Sequence, residues 1–225
     1  MTLMDETHIV PEPVEFKQLK PRREYAQQLA QAAHRIRELE TAAFTDSLTG
    51  LPNRRVFETE LPKLFKEAKS QNVPLALMLL DINGVKRTND TEGHWRGDEL
   101  IKAAPKALTV IVRPDDIIGR LGGDEYYAIL VGYEPLPGQT LEELNAEREI
   151  QIQENFAAAT RQIGISEDLH VGITVGISVM QPDDTLSSFA KRADANLINK
   201  KRGTYKSLEE QGITFEDSRM SEVQS

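Results

Sequence analysis

Apolar residues recur at Tyr25, Leu29, Ala32, Ile36, Leu39 and Ala43, at alternating steps of four and three on an otherwise polar stretch. Such a heptad seam predicts a helix over 21–44 that either forms a parallel coiled coil or packs on the domain that follows. Gly50 and Pro52 interrupt it, and Asn53 is placed to cap a second helix whose Phe57, Leu61, Leu64, Phe65 and Ala68 share one face. Pro62 should bend that helix or limit its start, and Asp46 and Arg54 can bridge across the junction. Val73 to Ile82 is then a nearly continuous apolar run with Asp81 at its exit, the pattern of a strand buried on both faces.

Further along, Asp98 opens a helix with Leu100, Ile101, Ala104, Leu108 and Ile111 toward the sheet and Pro105 as a kink. Ile117 to Leu121 and Tyr126 to Val131 read as two strands joined through Gly122, Gly123, Asp124 and Glu125, a tight hairpin with a negatively charged tip. Thr140 and Glu143 form a capping-box pattern for a polar helix to about Gln162. Leu169 to Val179 is a fourth strand, and Ser187 to Arg202 a last helix. The order helix, helix, β, α, β, β, α, β, α predicts an α+β fold, a two-layer sandwich of the ferredoxin-like or palm type preceded by an N-terminal helix. Residues 1–20 read as an irregular arm and 207–225 as a polar tail.

Composition narrows the chemistry. The 225 residues are 39% hydrophobic and 28% charged, as in soluble globular proteins. A net charge of −9 argues against a general nucleic-acid or anionic-membrane binder. No stretch reaches the roughly 18 apolar residues of a membrane span, and the start lacks a basic, apolar leader, so a cytoplasmic location is expected. The absence of cysteine excludes disulfides and thiolate chemistry. An acidic chain that handles phosphates needs metal ions or a few well-placed cations.

If the first strand pairs beside the hairpin, Asp81 and Asp124 come to the same sheet edge and can share divalent cations through hard oxygen ligands. Magnesium fits such a site, with phosphates and water completing the octahedron, and two ions can neutralise a triphosphate and activate an attacking hydroxyl. The simpler alternatives are an ordinary Gly-Gly turn and a strand-end carboxylate that caps the following backbone. Asn83 to Arg87 can offer backbone N–H groups and Lys86 to phosphate oxygens. Lys201 is a further counter-charge, although surface lysines are more often merely solvated. His94 has no ligand partner at metal spacing and reads as a hydrogen-bonded loop residue.

Several stretches in order, Asp46 to Arg54, Asp81 to Lys86 with Asn89 and Asp90, Gly93 to Asp98, Gly122 to Tyr126, and Ala193-Asp194 leading to Lys201, resemble the GGDEF domain of diguanylate cyclases. The likeness runs from about Asp46 to Lys206, which places that domain at 45–206. It implies that two GTP molecules are joined into cyclic di-GMP with release of two pyrophosphates, each protomer of a homodimer holding one GTP. It further implies that Asp81, Asp124 and the Ile82 carbonyl bind magnesium, with manganese as the alternative. Glu125 would then assist deprotonation of the attacking 3′-hydroxyl. Asn89 and Asp98 would bond the guanine edge, Gly123 would admit the nucleotide, and Lys86 and Lys201 would hold phosphates.

Arg113 and Asp116 match the family's RxxD inhibitory site for cyclic di-GMP; a helix-end salt bridge is the plainer alternative. Four positions depart from the family pattern. Asn83 stands for a frequent aspartate, Val85 for a phenylalanine and Tyr126 for the closing phenylalanine, and Lys201 leads to Thr204-Tyr205 rather than Gly-Arg. The segment between Val131 and Phe156 is longer than usual. A domain that only binds cyclic di-GMP or GTP as a receptor is the rival function, and the N-terminal helix is where an unidentified signalling partner would act.

Overall fold

The computed structural model describes residues 22–210 and 212; the arm over 1–20 and the tail past 212 lie outside the described residues. The chain divides into two units between Thr41 and Ala42. The first unit consists, among the described residues, of most of helix α1 (Arg22–Phe44). Its seam residues Tyr25, Leu29, Ile36 and Leu39 are each more than half exposed, while His34 and Arg35 both reach Glu38 on the polar side, at 3.3 and 3.2 Å.

The second unit holds α2 (Arg54–Gln71), β1 (Leu75–Asn83), α3 (Val85–Glu92), α4 (His94–Leu108), β2 (Ile117–Gly122), β3 (Glu125–Val131), α5 (Leu141–Gln162), β4 (Gly172–Val179) and α6 (Leu186–Glu210). The strands form one antiparallel sheet in the order β2-β3-β1-β4. Alternation along β1 feeds two cores. Met78, Leu80 and Ile82 pack with Leu100, Leu108, Ile152 and Phe156 of α4 and α5. Leu75 and Leu77 pack with Leu61 and Phe65 of α2 and Phe189 of α6. The expected α+β sandwich therefore carries helices on the second face of its sheet as well, and β1 is buried along nearly all of its length.

Local chemistry sets the boundaries. The Asn53 side chain accepts from the Arg55 and Val56 backbones at 3.0 and 3.4 Å to start α2, which then runs unbroken through Pro62. The Thr140–Glu143 capping box forms at the start of α5 with both of its reciprocal bonds. Helix α3 is an element the hydrophobic pattern did not announce, because it is polar with only Val85 and Thr88 buried. Helix α4 begins at His94, ahead of Asp98. Gly84 and Gly93, at φ +88° and +92°, turn the chain into these two helices.

Helix α6 runs past Arg202 to Glu210 because its buried stripe, Phe189, Ala193, Leu197, Lys201 and Tyr205, continues through a lysine. It lies close on β4: a Cβ on Gly176 would stand 2.4 Å from the Leu197 nitrogen. No helix among the described residues is long and apolar enough to cross a membrane.

Candidate active site

The strand register brings the acidic residues together. Asp81 on β1 lies opposite Glu125 on β3 and opposite Thr174 on β4. Directly opposed residues of antiparallel strands project to one face, so the two carboxylates share the face that α6 covers. The Ile82 N–H donates to the Asp124 carbonyl at 3.0 Å, which ties the Gly-Gly turn to the exit of β1. From α6, Lys201 places Nζ 2.8 Å from Asp81 Oδ1, with both side chains almost wholly buried. The lysine expected at phosphates is thus a direct partner of the aspartate expected at metal.

One turn further, the Tyr205 hydroxyl meets Asn83 Oδ1 at 3.4 Å, and Asn83 Nδ2 donates to Thr174 Oγ1 at 2.8 Å. Residues two apart on a strand and four apart on a helix are both separated by roughly 6 Å. That match lets α6 fasten to β1 at two consecutive polar steps, Asp81 and Asn83.

The turn itself is open toward solvent. Gly122 and Gly123 adopt φ +140° and +57°, and no atom lies within 4 Å of where a Cβ would sit on either. Arg120 holds the turn from below, with Nε and Nη2 donating to the Gly123 carbonyl at 2.9 and 2.6 Å and Nη1 3.0 Å from both Asp46 oxygens. Burial pushes the Asp46 carboxyl up, but hydrogen bonds from Thr49 and Arg120 outweigh it and hold the group below its ordinary value. Asp46 therefore bridges to Arg120 and not to Arg54. Arg54 donates Nε to the Leu121 carbonyl at 3.0 Å and sets Nη2 3.8 Å from Glu125. Sequence reasoning missed both arginine roles; the one local hint was an arginine two residues before a Gly-Gly turn.

A second cluster lies where α3 turns into α4. A Cβ on Gly97 would fall 2.0 Å from Asn89 Oδ1, so the Asn89 amide occupies the space that a side chain would take, one residue from the exposed Asp98. Lys86 is exposed in the first turn of α3. Arg96 is clamped by Glu92 at 2.9 Å, Glu99 at 2.6 Å and the Gly164 carbonyl at 2.6 Å; the bonds to Glu99 and Glu92 raise its pKa. His94 is the exposed first residue of α4, with no hydrogen-bond partner for its ring among the described residues.

Arg113 and Asp116 sit at the other end of β2, roughly 20 Å of strand from the turn. Asp116 accepts from the Arg113 backbone at 2.7 Å and from the Val131 N–H at 2.9 Å. The helix-end salt bridge is not formed, and the exposed Arg113 guanidinium has no partner among the described residues.

Among the described residues no group of three or more His, Cys, Asp or Glu is arranged for a metal ion. The donors at the β1 exit are hard oxygens, the carboxylates of Asp81, Asp124 and Glu125 and the Ile82 carbonyl. A few protein oxygens with room for phosphate and water suit magnesium and do not suit a structural zinc. By donor type the residues present match a hard, oxygen-preferring divalent ion.

Comparison with known proteins bears on the family and the fold. The chain is 40% identical over 100 residues to the probable diguanylate cyclase DgcC of Escherichia coli, a match that covers 44% of this chain and 27% of DgcC. It spans only about a quarter of that relative. A crystal structure of the coiled coil and GGDEF domain of DgcB from Caulobacter crescentus, in complex with c-di-GMP, superposes with a TM-score of 0.67 at 25% identity, covering 80% of this chain and 92% of that one. The diguanylate cyclase SiaD of Pseudomonas aeruginosa, crystallised with its activator SiaC, gives a TM-score of 0.58 at 26% identity over 81% of this chain and 70% of its own. Residues 43–206 match the family described as diguanylate cyclase, GGDEF domain, and with that match spanning most of its length the chain belongs to the GGDEF family.

Proposed function

We propose that this chain condenses two GTP molecules into cyclic di-GMP, releasing two pyrophosphates, as a homodimer with one GTP in each protomer. The observation that carries this reading is the meeting of Asp81 and Glu125 across β1 and β3, with Asp124 in the adjoining turn and Lys201 beside them. Held by Asp81, Asp124 and the Ile82 carbonyl, magnesium or manganese would neutralise triphosphate charge and lower the pKa of the attacking hydroxyl.

The protein groups supply positioning and charge, which is most of what phosphoryl-type transfer asks for. Glu125 draws the proton from the 3′-hydroxyl as its oxygen attacks the opposing α-phosphorus, and Arg54 orients that carboxylate from 3.8 Å. Lys86 and Lys201 hold phosphate oxygens. Asn89 and Asp98 take the guanine edge, and Asp98 selects against adenine because a carboxylate accepts from guanine N1–H and N2–H₂. The open space above Gly123 admits the nucleotide. A supply of GTP places the reaction in the cytoplasm.

The seam of α1 supports pairing with a second copy. With Leu29 and Ile36 at a and Ala32 and Leu39 at d, Arg35 falls at g and Glu40 at e of the next heptad. Parallel, in-register pairing then brings opposite charges together. The same helix is where an activating partner would bind. Arg113, exposed and without a partner among the described residues, is available with Asp116 to bind cyclic di-GMP and restrain turnover.

Incubation of the protein with GTP and magnesium should yield cyclic di-GMP, and Asp124→Ala should abolish the product while the fold persists. One observation favours a receptor instead: Tyr205 lies against Asn83, in a stretch where the family pattern has Gly-Arg. On that reading no product forms, cyclic di-GMP binding survives Asp124→Ala, and Arg113→Ala removes it.

A further inference from the structure

We propose that Lys201 is a resident counter-ion for Asp81, holding the place of a divalent cation until one arrives together with a nucleoside triphosphate, and that this makes metal and nucleotide binding depend on each other. The inference rests on the metal-site reading of Asp81 given above and adds a coupling to it.

Asp81 is 2% exposed and Lys201 4% exposed, at a contact of 2.8 Å. A carboxylate so deep requires a positive partner, because removing one member of a buried pair leaves an uncompensated charge. A divalent ion on Asp81 sets a second cation against the Lys201 ammonium at the same oxygens, and like charges at that range repel strongly in a medium of low dielectric. Lys201 must then find another anion. The phosphates of the incoming nucleotide are that anion, so the metal enters readily only when the nucleotide enters with it.

The surrounding packing leaves Lys201 its side chain as the part that moves. The α6 backbone is fixed on both sides of it, by close contact of Leu197 with Gly176 and by the Tyr205–Asn83 hydrogen bond. A lysine head is a compact charge with three donors on a flexible four-carbon stem, able to turn from carboxylate to phosphate without rebuilding a fork of bonds. Linkage requires the coupling to be reciprocal: the metal must tighten nucleotide binding by the same factor.

The test uses the full chain, with manganese as probe and free ion counted by electron paramagnetic resonance, with and without α,β-methylene GTP. In the wild type the analogue should tighten manganese binding by about 50-fold, within the usual range of coupling between sites. Lys201→Met should bind manganese without nucleotide about tenfold more tightly than wild type, and the effect of the analogue should fall to about fivefold or less. Lys201→Gln, which keeps a hydrogen-bond donor without the charge, should behave the same way and stands in if the Met variant does not fold by circular dichroism. Nucleotide-free manganese binding in folded variants that is no tighter than in wild type overturns the proposal. Manganese binding absent from the wild type even with the analogue overturns the metal-site reading beneath it.

Discussion

Helix α6 carries two acid–base pairs, one to the loop that precedes it and one to the sheet, and they differ in kind. Near its start Arg192 meets Asp184: Nη1 donates to Asp184 Oδ1 at 2.9 Å, Nε to Ser178 Oγ at 3.0 Å and Nη2 to the Val179 carbonyl at 2.9 Å, with a further bond to Asp184 Oδ2. Asp184 also accepts from the Gln181 N–H and the Ser188 hydroxyl, each at 2.8 Å. The Arg192 hydrogen bond is the largest of the effects that hold the Asp184 carboxyl far below the usual carboxylate range. Nine residues on, Lys201 meets Asp81 with a single compact head. The planar fork is committed to one arrangement, whereas the ammonium can change partners. Within one helix, the guanidinium pair reads as an anchor, and under the proposed function the ammonium pair belongs to the working site.

Substitutions can break or sharpen that contrast. The largest effect is expected from Asp81→Asn, which should lower cyclic di-GMP formation by about 10³-fold, the scale seen when a group that stabilises developing charge is removed. Asp184→Asn, assayed well below its melting temperature, should stay within about threefold of wild type. Equal losses in the two variants, read by chromatography of the product, would erase the distinction.

Next in size is stability. Asp184→Ala should cost about 3 kcal/mol for breaking a largely buried pair, seen as a fall in Tm of about 6–12 °C by calorimetry. The pH dependence has a definite sign. Because the folded pKa of Asp184 is depressed, its contribution is present above the unfolded value of about 4 and is lost as the pH falls through the folded value. The stability gap between wild type and Asp184→Asn should therefore be level above about pH 5 and shrink below pH 4 in denaturant titrations.

Gly176→Ala probes both pairs at once. Its Cβ would lie 2.4 Å from the Leu197 nitrogen, and pushing α6 off the sheet should cost about 1–3 kcal/mol. Turnover should fall with Tm, since this change displaces the Lys201 end as well. The smallest effect is expected of Tyr205→Phe, which removes one hydrogen bond to Asn83 and should cost about 1 kcal/mol in urea unfolding.

What the sequence made legible was local. The apolar run of β1, the Gly-Gly turn between two β-forming stretches and the Thr140–Glu143 box each carry their signal within a dozen residues. Placing Asp81 and the hairpin carboxylates at one edge needed only the inference that β1 pairs with β3. Three features stayed hidden. The polar α3 has too few buried positions to show a period. The end of α6 stays concealed because a lysine, expected at phosphates rather than inside the fold, continues an otherwise apolar buried stripe at Lys201. The Arg120–Asp46 bridge joins residues 74 apart in the chain, a separation over which no pattern of spacing operates.

The position of β1 between β3 and β4 has a consequence for motion. Backbone amides of a strand hydrogen-bonded on both sides and buried along its length are released only when the whole domain opens. Hydrogen exchange at Leu80, within the β1–β3 ladder, should accordingly report global unfolding, while the amides of Gly122 and Gly123, in the open turn, should exchange through small local fluctuations. The proposed acidic site would thus pair one side that stays shut for the lifetime of the folded molecule with another that yields each time a ligand arrives.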